Sequence, residues 1–552
     1  MDKSPSQGRV SLPEGAASQH LDSWKEIAVY LKRGVRTVQR WEKKEGLPVH
    51  RHLHKKLGSV YAYTDELDAW WTSCHSPLKQ QDKPKRPGGR GAHPSIAVLP
   101  FVNMSSDPEN EYFSDGLAEE LINALSRLPG LQVAARTSAF SFKGSKVSIP
   151  HIGKELNVDT VLEGGVRKAG NQLRITAQLT KTADGFHLWS ERYDREMEDV
   201  FTIQDEITRS IVSTLEVQLL GRQKGGLVRR YTENVQAYNL YLKGRHFSSQ
   251  RTPEGIGKAI EYFEKATQED PKYALAYTGL AESYAILGFY SYIPRKEAES
   301  KARAALAKAM ELDDQLAETH CVQGIIKLHY GIDWPSAEMN FKQAIKSKPD
   351  FSLQHGYYGL LLAMLGRAER AIEEAEQTTE LDPLSPLINT IAGGIFYMLG
   401  DYKAAVRECE KALEIDPYST IALWMSGLVY DRLSEYERAR KIMEHAVNLS
   451  KRAPYFVGLL GHIYGKCGML DHVKELIVEL TRRSEQEYVS SFCFLAIYAG
   501  LGDKDRILEW LEKTHEEGFA PLLFWVTLKP DLDPLRDDPR FHDLLRRMNL
   551  EP

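Results

Sequence analysis

Hydrophobic positions keep three different periods along this chain, and each period predicts a different architecture. In the first stretch, Leu21 to Trp71, the spacing is short and helical. Ser23 and Glu26 stand as in a capping box, so a helix starts there. Ile27, Ala28 and Leu31 give it a short apolar face, and Gly34 breaks the pattern. Val35, Val38 and Trp41 predict a second helix, which Gly46 and Pro48 stop. Val49 to Tyr63 alternates apolar and polar residues around Leu57-Gly58-Ser59, the pattern of a two-stranded wing. Thr64 then caps a third helix, with Leu67, Trp70 and Trp71 available for a core.

From Ser95 to about Leu220 strand and helix patterns mix, which predicts an α/β domain. Ile96 to Phe101 is a continuous apolar run, expected as one buried strand. Tyr112 to Leu128 places Leu117, Leu121, Leu125 and Leu128 on one side of a helix. Leu131 to Ala134 is a second strand, and Val158 to Val166 with Gln172 to Leu179 form a hairpin around Gly170-Asn171. His187 to Arg195 continues the sheet, and Val200 to Leu219 is an amphipathic helix. Asp107, Glu109, Glu111, Asp115, Glu119 and Glu120 gather near the first helix. Paired carboxylates can do acid/base work, but no His, Cys nucleophile or metal-ligand spacing accompanies them. A solvated acidic helix start, favoured by the helix dipole, is the expectation. The glycines here do not form a GxxxxGK[ST] phosphate loop.

From about Val235 to Gly518 the pattern itself repeats. Pro349, Pro383 and Pro417 stand 34 residues apart, as do Gly359, Gly393, Gly427 and Gly461. Ala259, Phe263, Ala266 and Pro271 recur as Ala337, Phe341, Ala344 and Pro349, and as Ala405, Cys409, Ala412 and Pro417. Small residues let paired helices approach, and Pro opens the turn to the next pair. This is the period of tetratricopeptide repeats, about eight of them, with Val473 and Ile507 replacing Ala in the last two. Residues 519–552 are expected to cap the array. Most Tyr and Trp residues of these helices are expected in the core rather than as partner anchors.

Charge separates the first stretch from the rest. Trp24 to Lys56 carries ten Lys/Arg against three Asp/Glu, while the whole chain is −5. A basic module on an acidic protein is the electrostatic footprint of phosphate binding. Arg36, Thr37, Gln39, Arg40, Lys43 and Lys44 lie on the outer faces of the second helix, and Arg51, His52, Lys55 and Lys56 on the wing. These are the candidate DNA contacts. His50, His52 and His54 would share a strand face and could ligate zinc, but a basic wing accounts for them without a metal. His75 to Pro94 has Pro, Gly and five Lys/Arg with nothing to bury, so a flexible linker is expected. Five widely separated cysteines suit a reducing compartment. Met1 to His20 is polar and unlike a signal peptide, and no run of about 18 apolar residues suggests a membrane span.

Three resemblances follow from these residues. VRTVQRWEKKEGLPVHRH resembles the DNA-binding domain of the MerR and excisionase families, with Gly34 where a Ser or Thr often caps the recognition helix. IAVLPF, DGLAEEL, ARTSAFSFKG and VLEGGVRKAGNQLRITAQL resemble the TolB amino-terminal-like domain, also related to FlgO. The third is the tetratricopeptide-repeat family, which implies a superhelix with a groove for a protein or peptide. The expected organisation is a disordered N-terminus over 1–20, a winged helix-turn-helix over 21–74, a linker over 75–94, a TolB-like α/β domain over 95–220, an all-α repeat superhelix over 235–518 and a cap over 519–552. The expected function is a cytoplasmic, bacterial-type transcriptional regulator that binds double-stranded DNA and takes protein partners through its repeats. A homodimer fits that role. No cofactor, metal or membrane is called for, and no enzyme is expected. The alternative is an interaction scaffold that does not bind DNA.

Overall fold

The computed structural model of the chain describes residues 20–30, 38, 47–51, 60–64, 66–67, 94–128, 130–215, 231–331, 333–518 and 529–547. It divides into two units, residues 1–92 and 93–552.

In the first unit, strand β1 (His20–Leu21) precedes helix α1 (Trp24–Tyr30), and strands β2 (His50–Arg51) and β3 (Val60–Tyr63) follow. The capping box forms as the sequence implies. Glu26 N–H donates to Ser23 Oγ at 3.2 Å, and Asp22 N–H donates to Glu26 Oε2 at 2.8 Å. β3 is central and antiparallel to both neighbours, with His20 opposite Tyr63 and His50 opposite Tyr61. The wing pattern therefore gains a third strand from the chain before α1. Leu21, Ile27, Ala28, Val38, Leu47, Val60, Ala62 and Leu67 form the core. Leu31, Val35, Trp41, Trp70 and Trp71, also expected in it, lie outside the described residues.

The second unit opens with a six-stranded mixed sheet. Its strands are β4 (Ser95–Val98), β5 (Val102–Asn103), β6 (Gln132–Val133), β7 (Thr160–Ala169), β8 (Gln172–Lys181) and β9 (His187–Glu196). The order is β6-β4-β7-β8-β9, with β5 also paired to β7. The expected single strand Ile96–Phe101 is two. β4 runs parallel to β7 up to Val98, and β5 resumes four residues later against Gly165 and Val166. Pro100 lacks the N–H that a continuous ladder needs. Helices α2 (Glu111–Leu125) and α5 (Val200–Thr214) cover one face, α4 (Ile149–Glu155) packs on the other, and α3 (Arg136–Phe140) follows β6.

Eight helical hairpins follow. They pair α6 (Val235–Ser248) with α7 (Pro253–Glu269), α8 (Ala274–Phe289) with α9 (Arg295–Leu312), α10 (Ala317–Ile326) with α11 (Trp334–Ser347), and α12 (Ser352–Met364) with α13 (Ala368–Leu381). Then come α14 (Pro386–Met398) with α15 (Tyr402–Ile415), α16 (Thr420–Arg432) with α17 (Tyr436–Leu449), α18 (Pro454–Lys466) with α19 (Leu470–Ser484), and α20 (Ser491–Leu501) with α21 (Lys504–Glu516). In the fifth and sixth hairpins the repeated small and large residues meet across the pair. A Cβ on Gly393 would come within 2.9 Å of Cys409 Sγ, and one on Gly427 within 2.6 Å of Met443 Sδ. The glycine makes room for the bulk of its partner helix. The hairpin turns keep the 34-residue beat as well. Gly366, Gly400, Gly468 and Gly502 have φ between 69° and 81°, and Ser434 holds the same place at φ 60°. This left-handed conformation follows the first helix of each of these five hairpins, and glycine adopts it without a Cβ penalty.

The two helices of a hairpin are buried differently. Second helices bury one stripe, such as Ala405, Cys409 and Ala412 on α15. First helices are buried nearly all round: every residue from Ile421 to Asp431 on α16 and from Tyr455 to Tyr464 on α18 is buried. A helix that is apolar on all sides belongs inside. A short 3-10 segment (Lys529–Leu535) and helix α22 (Pro539–Arg547) complete the described chain, burying Leu532, Leu535, Phe541 and Leu544 in the core of the array.

Candidate functional site

Of the candidate DNA contacts, only Arg51 is among the described residues. It is exposed on β2, opposite Val60. Arg36, Thr37, Gln39, Arg40, Lys43, Lys44, His52, Lys55 and Lys56 lie outside the described residues. Beside Arg51, His50 stacks on Tyr61 with ring centroids 5.1 Å apart, and its Nε2 lies 2.6 Å from Glu66 Oε2.

The acidic run at α2 is solvated only in part, with Asp107 exposed and Glu111 half-buried. Asp115 and Glu119 are buried where α6, the first repeat helix, lies along α2. Arg245 donates to Glu119 Oε1 at 2.7 Å, and Arg136 Nε stands 2.8 Å from Oε2. Burial alone would raise the Glu119 carboxyl, but Arg245 and Arg136 outweigh it and hold it at about 2. Lys143 donates to Asp115 Oδ1 at 2.6 Å, and His246 Nδ1 lies 3.6 Å from Oδ2. Burial raises Asp115 too, and His246 and Lys143 more than offset it, so its pKa is lowered. Arg245 is 126 residues from Glu119, so nothing local in the sequence announces the pair.

The seam continues along the array. Lys348, before α12, donates to Asn123 Oδ1 of α2 at 3.2 Å. Asp382, before α14, accepts from Ser138 N–H at 2.9 Å and from Ser138 Oγ at 2.6 Å. Ser138 Oγ in turn accepts from Leu384 N–H at 2.9 Å. Underneath, Tyr238, Tyr241 and Leu242 of α6 share one apolar cluster with Leu121, Leu125, Ile203 and Ile207. Sheet and repeats are therefore packed as one body.

The repeat array closes on itself. Tyr290, after α8, meets Tyr455 of α18 with centroids 6.1 Å apart. Arg295 donates to the Gly518 carbonyl at 2.6 Å, and Lys451 Nζ lies 2.6 Å from Glu254 Oε1. The first two hairpins thus touch the last two. A small hollow lies between Arg251, Glu282, Phe289, Tyr290, His329 and Tyr357. It holds about 20 Å³, room for one water rather than a peptide. His329 there stacks on Phe289 at 4.5 Å. Burial first, and Arg295 second, hold its pKa down at about 3, so it stays neutral.

A polar cluster fastens the C-terminal segment. Arg432 donates to both carboxylate oxygens of Asp531, and Lys466 Nζ lies 2.7 Å from Oδ1. His462 Nε2 is 3.5 Å from Asp431 and 3.9 Å from Asp531. Asp431, His462 and Asp531 gather their ligand-type atoms within 4.8 Å, as a metal site would. Arg432 and Lys466 already balance the two carboxylates, so a divalent ion would leave a buried excess of positive charge.

Comparison with known proteins adds what geometry does not supply. Residues 92–210 match the family described as "HilA/YgeH-like transcriptional regulator, second domain". Residues 359–420 and 421–452 match tetratricopeptide repeats. Over 190 residues, 34% of this chain, it is 43% identical to "Putative adenylate cyclase 3" of Rhizobium meliloti, covering 32% of that protein. Over 297 residues, 52% of this chain, it is 25% identical to "Transcriptional regulator HilA" of Salmonella typhimurium, covering 51% of that protein. The chain thus spans about a third and about half of these relatives' lengths. A solved tetratricopeptide repeat protein from Parabacteroides merdae aligns with 51% of this chain and 99% of its own at 16% identity and a TM-score of 0.31. The expectation that the chain is not an enzyme is corrected by the 43% match, because a relative that close is named for a cyclase activity. What the chain carries is a HilA-like regulator domain followed by tetratricopeptide repeats.

Proposed function

We propose that the protein is a DNA-binding transcriptional regulator whose repeats receive input through protein partners. The match of residues 92–210 to the second domain of HilA/YgeH-like regulators supports this most, and the 25% identity with HilA over half the chain agrees with it. In this reading residues 21–74 are the MerR/excisionase-like head, and the basic stretch 75–94 tethers it. Arg36, Thr37 and Arg40 read bases, and Gln39, Lys43, Lys44, Arg51, His52, Lys55 and Lys56 hold phosphates and position the head. The action is cytoplasmic. Among the described residues no helix is long and apolar enough to cross a membrane. Partners dock on the repeat array, where Tyr418, Leu470 and Val478 are exposed apolar side chains.

The test is a mobility shift of promoter-region duplexes by the full chain at stepped salt. Each phosphate neutralised by Lys/Arg releases counterions, so affinity should fall by roughly 0.9 log units per log salt per contact. Arg36→Ala and Arg40→Ala should also relax sequence preference, since a bidentate Arg–guanine pair discriminates by about 1–3 kcal/mol. Uniform weakening on all sequences would make them phosphate contacts. No shift at low salt would leave the scaffold reading in its place.

A further inference from the structure

The sheet ends on β9, ten residues long, and no strand lies beyond it among the described residues. Met197 N–H, just past β9, donates to Asn171 C=O at 2.9 Å, which puts the odd-numbered positions of the strand on the β8 side. Ser190, Arg192, Asp194 and Glu196 therefore turn their N–H and C=O groups to the free edge. The Arg195 guanidinium donates to the Asp194 carbonyl of that row at 3.0 Å. Such an edge is a template for another strand.

The charges on this edge are ordered about Tyr193, running Glu191, Arg192, Tyr193, Asp194, Arg195. The sign inverts on reflection through Tyr193. When a second β9 is laid antiparallel with Tyr193 opposite Tyr193, Arg192 faces Asp194 and Glu191 faces Arg195, each pair occurring twice. This register also sets Arg192 against Asp194 as a backbone-bonded pair, as the outward N–H groups require. Shifting the centre to Arg192 loses all four matches, and shifting it to Asp194 sets two aspartates together. Register slips by an odd number of residues are barred, because they would point one strand's N–H groups away from the other's. The side chains are available for this: Arg192 is 64% exposed, Arg195 45% and Asp194 44%. Their present partners lie within the same sheet domain, Asp194 with Arg174 and Arg192, and Arg195 with Glu206 at 3.9 Å. Phe186, 73% exposed, leaves apolar surface at the head of the same strand.

We propose that β9 is a homodimerisation edge, pairing antiparallel with β9 of a second copy in the Tyr193-centred register. This stands apart from DNA binding, since it joins two copies whether or not the head binds a duplex. The experiment is sedimentation velocity of the full chain at tens of micromolar. The expected result is a dimer. Arg192→Glu with Arg195→Glu makes the edge wholly acidic, and Glu191→Arg with Asp194→Arg makes it wholly basic. Each variant alone should be monomeric, with association at least about 100-fold weaker, because like charges directly opposite repel at four places. Mixed together, the acidic and basic variants should form a one-to-one dimer. A monomeric natural chain, dimers that survive in both variants, or a mixture that stays monomeric would each overturn the proposal. The rescue on mixing separates lost pairing from lost folding.

Discussion

Ending the chain before Val235 should unfold the sheet domain rather than free it. Helix α6 puts Ala237, Tyr238, Tyr241 and Leu242, all buried, into the cluster that also holds Leu121, Leu125, Ile203 and Ile207. At about 1.5–3 kcal/mol for each fully buried large side chain, the two tyrosines and the leucine contribute roughly 5–9 kcal/mol. A domain of this size is stable by only about 5–15 kcal/mol in total. The cut also strips Arg245 from buried Glu119, which makes the estimate a floor. Residues 1–234 should therefore lack the sheet domain's cooperative urea transition in far-ultraviolet circular dichroism and should bind a hydrophobic dye. Residues 1–350, which keep the first three hairpins, should restore the transition. Tyr241→Ala in the full chain should cost about 3–4 kcal/mol. A cooperative transition in 1–234 at the urea concentration where 1–350 melts its sheet would refute the shared core. With the core shared, a regulator cut at this point fails through misfolding, so lost regulation in such a truncation does not by itself implicate the repeats as the input.

Ser434 occupies, at φ 60°, the turn position that glycine fills in neighbouring hairpins, so Ser434→Gly should raise stability by up to about 1 kcal/mol, read as a higher melting temperature. The fastening of the C-terminal segment should be acid-labile. Burial raises the Asp531 carboxyl, but His462, Arg432 and Lys466 pull it down to about 2 against an ordinary 3.8, so its contribution is full above about pH 4 and is lost as pH falls towards 2. That amounts to roughly 2 kcal/mol. Hydrogen exchange in 529–547 should rise across that window in the natural chain, and Asp531→Asn should show the fast exchange at neutral pH already. Burial pushes the thiols of Cys409 and Cys493 up to about 12, so neither should react with a thiol reagent at pH 8 until the protein is unfolded.

Whatever is local or periodic was legible in the residues alone. The capping box at Ser23 and Glu26, the hairpin around Gly170-Asn171, and the 34-residue alternation of small, large and proline positions are each set by a few neighbouring residues, and all appear in the structure. The turn glycines carried the same beat and could have been found by it. Tertiary structure decided what depends on distant segments meeting. The acidic run of α2 had the composition of a solvated face, and only the arrival of Arg136, Lys143 and helix α6 turned Asp115 and Glu119 into buried, paired charges. The repeats had the period of a superhelix, and only the accumulated rotation from hairpin to hairpin brought Tyr290 against Tyr455. Side chains at short separation share one helix or strand and obey its period. Partners 126 or more residues apart are placed by the summed geometry of every element between them, and no local pattern records that sum.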